Sequence, residues 1–316
     1  NDMKAVLYST ASAVALLAFA GAASADAGFS GVAQFSLGGG TAESTFIAGD
    51  LYADPFFYSG KGQGYWTLSP DVHLQVDLFA QHTDDIFEGG EASSETDSTR
   101  FGGALHLVHP LENRARLGVA ASIWNTDVGV VRDAATFLAG GDATFGLFAV
   151  EGQFFADNWT LSGQAGLFTS FSCSGVSFGC AGVIEDGTYL RGKVRYFLSD
   201  NTQLSLEGMQ MWGGVDDDLF GGKSVRANSL QWSLEAEHKF RDSPFSAFIA
   251  LSHQNDEISS FFTSSTDTQT VSLGVKFYLD QATLKTNDRT GAALDTPQFG
   301  NAIEGSAGSA FFIGGP

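Results

Sequence analysis

Arg191, Lys193 and Arg195 recur at every second position, a spacing that puts three cations on one face if the segment is a β-strand. Glu207 lies on the next candidate segment, and Glu235, Glu237, Lys239 and Arg241 repeat the spacing on the one after. If that face lines an enclosed aqueous space, a basic ladder opposite an acidic one sets up a transverse field that orders and selects small polar solutes. If the interior is filled instead, the same charges pair as salt bridges and stabilise a narrow wall. The residue types alone leave both readings open.

Catalytic chemistry has weaker support. Of six histidines, His73 and His106 share the polar face, while His82, His109, His238 and His253 fall at strand ends or on the apolar face. An outer-membrane phospholipase sets a histidine two residues before its serine, and no His-x-Ser occurs. A His-Glu-x-x-His helix and a phosphate loop are also missing from the sequence. The chain is therefore expected to have no catalytic residue and no cofactor.

Cys173 and Cys180 enclose the short span Ser-Gly-Val-Ser-Phe-Gly. In an exported chain this spacing predicts a disulfide; the other reading, a metal pair, has no further cysteine or histidine nearby. Asp216-Asp217-Asp218 and the acidic stretch from Thr83 to Thr99 could offer oxygens to Ca²⁺ or Mg²⁺. They lack the interrupted aspartate spacing of a calcium loop, so they read as solvated surface, and no metal site is expected.

These groups need a scaffold, and the scaffold is visible in the alternation around them. From Ser229 to Arg241, Leu230, Trp232, Leu234, Ala236 and Phe240 alternate with polar residues over about 13 residues, longer than the 5–6 of an average soluble strand. Similar segments run 28–37, 61–68, 72–82, 100–109, 115–125, 143–156, 159–171, 187–198, 202–212, 228–241, 245–254 and 269–279. The stretch 45–53 is either a further strand or part of the first loop. Connectors alternate between short, turn-rich ones such as Ser69-Pro70-Asp71, Asp157-Asn158 and Ser199-Asp200-Asn201, and long acidic ones. Such a chain reads as an all-β, transmembrane, antiparallel up-and-down β-barrel of about twelve strands. Short turns then lie in the periplasm and long loops outside, with apolar residues toward lipid and polar ones toward the lumen.

Register offers a check, because residues paired across a hairpin must share a face. Pairing Leu198 with Thr202 sets Val194 against Leu206 and Lys193 against Glu207. The same construction around Ser69 to Asp71 pairs Trp66 with Leu74 and Gln63 with Asp77. Around Asp157-Asn158 it pairs Phe154 with Leu161 and Glu151 with Gln164. Aromatic belts are expected at both interfaces, with Trp124 and Trp212 at the outer one and Trp159, Tyr196, Phe240 and Phe245 at the inner.

At the front, Met3 and Lys4 precede an apolar run from Ala11 to Ala20 and the small-residue exit Ala23-Ser24-Ala25, the order of a secretory signal peptide. The predicted organisation is a signal peptide at 1–25, a barrel at 26–280 and a tail at 281–316, read as mostly disordered periplasmic polypeptide with a plug inside the barrel as the alternative. The formal charge of −20, from 36 acids against 16 bases, argues against nucleic acid as a partner. A mean hydropathy of +0.02 does not separate a soluble chain from a barrel, which hides its lipid face by alternation; a soluble sandwich is the fold alternative.

The last candidate strand, Ser272-Leu273-Gly274-Val275-Lys276-Phe277-Tyr278-Leu279, resembles the terminal targeting signal of outer-membrane barrels: a polar residue, a glycine two later, then apolar residues three and five further on. From residue 28 to 279 the chain resembles the porin-like outer-membrane β-barrels of Gram-negative bacteria. The resemblance implies a place in the cell outer membrane, contact with outer-membrane lipid and lipopolysaccharide, and recognition of the last strand by barrel-folding machinery. The expected function is passive passage of small hydrophilic solutes, the polar register setting Arg191, Lys193, Arg195, Glu207, Glu235, Glu237 and Lys239 along the pore. The competing class is a non-conducting structural or surface-binding barrel that works through its acidic loops. Whether the barrel forms a homo-oligomer is left open.

Overall fold

A computed structural model describes residues 28–46, 49–89, 92–112, 114–128, 141–175, 184–215, 225–259, 263–279 and 283–297. The signal segment, Cys180 and Asp216-Asp217-Asp218 lie outside the described residues, as does the side chain of Cys173, so the expected disulfide falls there too.

Thirteen strands form: β1 (Phe29–Phe46), β2 (Gly49–Ala53), β3 (Phe56–Ser69), β4 (Val72–Gly89), β5 (Ala92–Leu111), β6 (Ala115–Val128), β7 (Gly141–Ala156), β8 (Trp159–Gly175), β9 (Ile184–Ser199), β10 (Thr202–Val215), β11 (Val225–Lys239), β12 (Phe245–Ser259) and β13 (Thr263–Tyr278). All but β2 join their sequence neighbours in an antiparallel meander, and β1 closes it against β13 from Val32↔Tyr278 to Thr45↔Ser265. Twelve strands make the closed wall. The short β2, within the stretch read as strand or loop, bridges the outer ends of β1 and β4. Among the described residues no helix is long and apolar enough to cross a membrane.

Alternation decides which way each side chain points. Leu230, Trp232 and Leu234 are exposed on the outer wall, as are Leu105, Leu117, Phe148, Leu167, Leu190 and Leu273, while Ser229, Glu237 and Lys239 are buried inside. An apolar outer surface on this scale is stable only against hydrocarbon. The three register constructions hold, with Lys193↔Glu207, Val194↔Leu206, Trp66↔Leu74, Gln63↔Asp77, Phe154↔Leu161 and Glu151↔Gln164 all paired. One bulge shifts the first pair of the 199–202 hairpin to Ser199↔Thr202. At the short-turn end the backbone is left-handed at Glu112, Asp157 and Asp242, conformations that Asp tolerates better than most residues.

At the opposite end the strands run further than the alternation suggests. β4 continues to Gly89 and β5 starts at Ala92, so the acidic stretch 83–99 is mostly paired backbone rather than irregular loop. A membrane-crossing strand needs about 9–11 residues, and β5 has 20. Its outer half stands clear of the bilayer, where no lipid selects apolar residues and the period-two signal fades.

After β13 the chain turns back on itself. A short helix, α1 (Leu284–Thr290), begins at the N-cap Thr283, whose hydroxyl accepts from Thr286 N at 3.1 Å. Leu284 and Ala292 pack with Val32, Tyr65, Phe197 and Tyr278 in an apolar patch on the inner wall at the short-turn end. Residues 283–297 therefore enter the barrel, which corrects the expectation of disordered periplasmic polypeptide for this part of the tail. Burial of one leucine favours docking by about 1.5–3 kcal/mol, which helps to offset the ordering of the segment.

Candidate functional site

The interior combines three parts: a charged wall, an apolar filling and the returning tail. Arg191, Lys193, Arg195, Glu207, Glu235, Glu237 and Lys239 all project inward, as their alternation predicts. Arg191 grips Glu207 through two bonds of 2.7 and 2.8 Å, and Lys193 lies 3.4 Å from the same carboxylate. Glu235 and Glu237 share Lys276 of β13 at 3.0 and 2.7 Å. Glu237 also accepts from Gln203, Ser246 and Tyr278. Lys239 sits lowest, donating to Ser243 O at 2.8 Å and lying over the Tyr278 ring.

The basic ladder does not face open water. Arg195 donates to Asp288 at 2.9 Å and to Asp295 at 2.7 Å, while Lys193 and Lys61 reach Asp295 at 2.8 and 3.1 Å. Burial opposes the charged form of Asp295, but Lys193, Lys61, Arg195 and Arg191 outweigh it and hold its carboxyl well below the usual carboxylate range. The tail backbone is pinned as well. Gln63 and Gln75 donate to Leu294 O, Leu294 N donates back to Gln75, and Gln153 and Arg195 donate to Ala293 O. Arg116 donates to Asp288 O and Gly291 O. Every backbone group named here finds a wall side chain, which is what a buried irregular segment requires.

Further up, Phe79, Trp124, Phe145, Leu147, Phe168, Tyr189, Met209 and Met211 pack into an apolar cluster against one side of the interior. Trp124 belongs to that cluster, stacked on Phe145 with ring centroids 5.4 Å apart, and so is not part of an outer belt. Its even position on β6 directs it inward together with Arg116 and Ala120. The other belt residues behave as expected: Trp212 is exposed, and Trp159 pairs with Tyr196 at 4.4 Å near the short turns.

What remains open is an eccentric vestibule of about 290 Å³ beside that cluster. Its wall is mostly hydroxyl and amide: Ser36, Ser59, Ser205, Ser233, Ser252, Thr270, Gln34 and Gln231 contribute. Lys61, Arg191, Lys193 and Lys276 ring its lower part, and Asp295 and Thr296 of the tail form the floor. Alternation found the wall but missed several members. Lys61 and Lys276 are isolated cations on their strands, and Asp288 and Asp295 belong to a segment without period two. His106, placed on the polar face, lies between Glu151 at 2.9 Å and Thr296 at 3.4 Å, where it helps to hold the tail. Among the described residues no group of three or more metal-ligating side chains gathers.

No family model matches the chain, and no curated protein matches its sequence. Among solved structures, an outer-membrane channel from Pseudomonas putida F1 superposes with a TM-score of 0.52 at 12% identity, covering 80% of this chain and 96% of the other. This is the fold of an outer-membrane β-barrel. The apolar outer wall, set in that fold, places the chain in an outer membrane. The translocator domain of the autotransporter NalP from Neisseria meningitidis reaches 0.47 at 13% identity, covering 85% and 97%. A FadL homologue of Pseudomonas aeruginosa reaches 0.43 at 10%, covering 79% and 90%. Neither of these two bears on what this barrel carries.

Proposed function

We propose that the protein is an outer-membrane channel for small hydrophilic solutes whose lumen is stoppered from the periplasmic side by its own C-terminal segment. The polar vestibule is the observation that carries this reading: a pathway for apolar compounds would expose mainly apolar side chains, whereas hydroxyls, amides and charges outnumber Phe57, Phe248 and the few other apolar groups along this space. Twelve strands fall between the roughly eight whose side chains fill a barrel and the 16 or more that leave a wide channel. At this size one inserted segment is enough to decide between open and closed. No reacting group is needed for passage, so the proposal is a non-enzymatic one.

The second reading, a non-conducting barrel with a surface role, draws on the apolar cluster and on the many bonds that hold the tail. Single-channel recording in planar bilayers separates the two. The full chain is expected to conduct weakly or in rare openings, and a chain ending at residue 280 is expected to show a stable open level. A folded short chain that stays silent refutes the channel.

A further inference from the structure

Asp295 occupies a position that a free anion could take. Its carboxylate receives Lys61 on Oδ1 at 3.1 Å and Lys193 and Arg195 on Oδ2 at 2.8 and 2.7 Å, with Arg191 3.8 Å away. These cations come from β3 and β9, strands that are not neighbours in the sheet, so they converge across the lumen on one point. The wall sets little negative charge against them. Glu207 serves Arg191 and Lys193, and Asp77 stands 3.7 Å from Lys61. Withdrawal of the tail leaves four cations facing two carboxylates at one level of the interior.

We propose that Lys61, Arg191, Lys193 and Arg195 form a binding site for small hydroxylated carboxylates of the sugar-acid kind, and that Asp295 is its tethered competitor. This rests on the hydrophilic-channel reading and names the solute class. The donors divide between two oxygens, as a carboxylate presents them, and Glu207 beside Lys193 disfavours the extra negative charge of a phosphate. Directly above, the hydroxyls of Ser36, Ser59, Ser205 and Ser233 line a space of about 290 Å³. At about 30 Å³ per water it has room for the polyol part of a six-carbon acid. The tail holds the site shut by supplying the same functional group from within.

Titration calorimetry of the full chain in detergent micelles tests this with gluconate, glucitol as its uncharged counterpart, and inorganic phosphate. Gluconate is expected to bind an Asp295→Ala chain at least tenfold more tightly than the unaltered protein, with glucitol and phosphate at least tenfold weaker. Adding Lys193→Gln and Arg195→Gln should abolish the binding. The isosteric Asp295→Asn chain should shift the same way, which guards against a misfolded alanine variant. Equal affinity with and without Asp295, glucitol or phosphate binding as well as gluconate, or binding that survives loss of Lys193 and Arg195 overturns the proposal. Conductance of the same preparations is scored separately. Gluconate binding in a barrel that never conducts keeps the site and sinks the channel, while conductance without gluconate binding does the reverse.

Discussion

Arg195 of β9 and Asp288 of α1 meet at 2.9 Å with both side chains almost fully shielded from solvent. Thr160 donates to the other oxygen of Asp288 at 2.5 Å, and Arg116 donates to its backbone carbonyl. A buried pair of this kind is favourable only while both members are present, and removing one costs about 3–5 kcal/mol. Arg195→Ala also deprives the Asp295 carboxylate of its shortest donor. The expected outcome is release of the segment: trypsin cleaves at Lys285 and Arg289 while the strands stay protected. Undiminished protection of both sites would show that the wall holds the tail without this pair.

Acid should release the same segment, for a reason that can be signed. Burial pushes Asp295 upward, yet Lys193, Lys61, Arg195 and Arg191 pull it well below the usual carboxylate range. An undocked aspartate titrates near about 3.9, so its docked value is the lower one. Its contribution to docking is then complete above about pH 4 and is lost as pH falls through the docked value. Amide exchange at 291–297, corrected for intrinsic rates, should be flat from neutral pH down to about 5 and lose protection below about 4. In an Asp295→Asn chain that acid step should vanish.

Two glycines should respond in opposite ways to an added methyl group. Gly192 faces outward on β9, and a Cβ there meets nothing within 4 Å. Alanine at this position should be neutral or stabilising by up to about 1 kcal/mol, since glycine inside a strand is entropically costly. At Gly40, on the seam that closes the barrel, a Cβ would sit 1.8 Å from the backbone oxygen of Gln269. Gly40→Ala must part β1 from β13 locally, with a loss of about 1–3 kcal/mol typical of overpacking. Urea midpoints in micelles give the comparison, and equal midpoints would refute it.

The wall was legible in the sequence because lipid on one side and polar groups on the other impose period two, and Val194↔Leu206 or Gln63↔Asp77 follow once a turn is placed. Reading failed where that selection is absent. The outer arms of β4 and β5 pair as strands from Asp84↔Asp97 to Gly89↔Ala92, over a stretch of sequence with no apolar alternation. Trp124 shows a different limit: an aromatic on the inward parity near a strand end fits a belt by composition and an interior cluster by geometry, and only its partner Phe145 decides. The tail was opaque because its few apolar residues, Leu284, Ala292, Ala293 and Leu294, have no period, and the cations that bind Asp288 and Asp295 lie from 93 to 234 residues earlier in the chain.

The tail also changes what the basic ladder does to ions. With Asp288 and Asp295 docked, the charges of Arg191, Lys193 and Arg195 are largely matched, and their removal cannot simply be read as a change of selectivity. In a chain ending at residue 280, replacing all three with glutamine leaves Glu207 on β10 and Glu235 and Glu237 on β11, and the reversal potential should move toward cations. In the full chain the same replacement leaves Asp295 with Lys61 and Asp288 with Thr160 but removes their other cations, so the segment is expected to undock and conductance to rise. One triple substitution is thus expected to alter selectivity in the short chain and opening in the long one. A short chain whose reversal potential does not move would show that β9 does not line the path taken by ions, whatever the tail does.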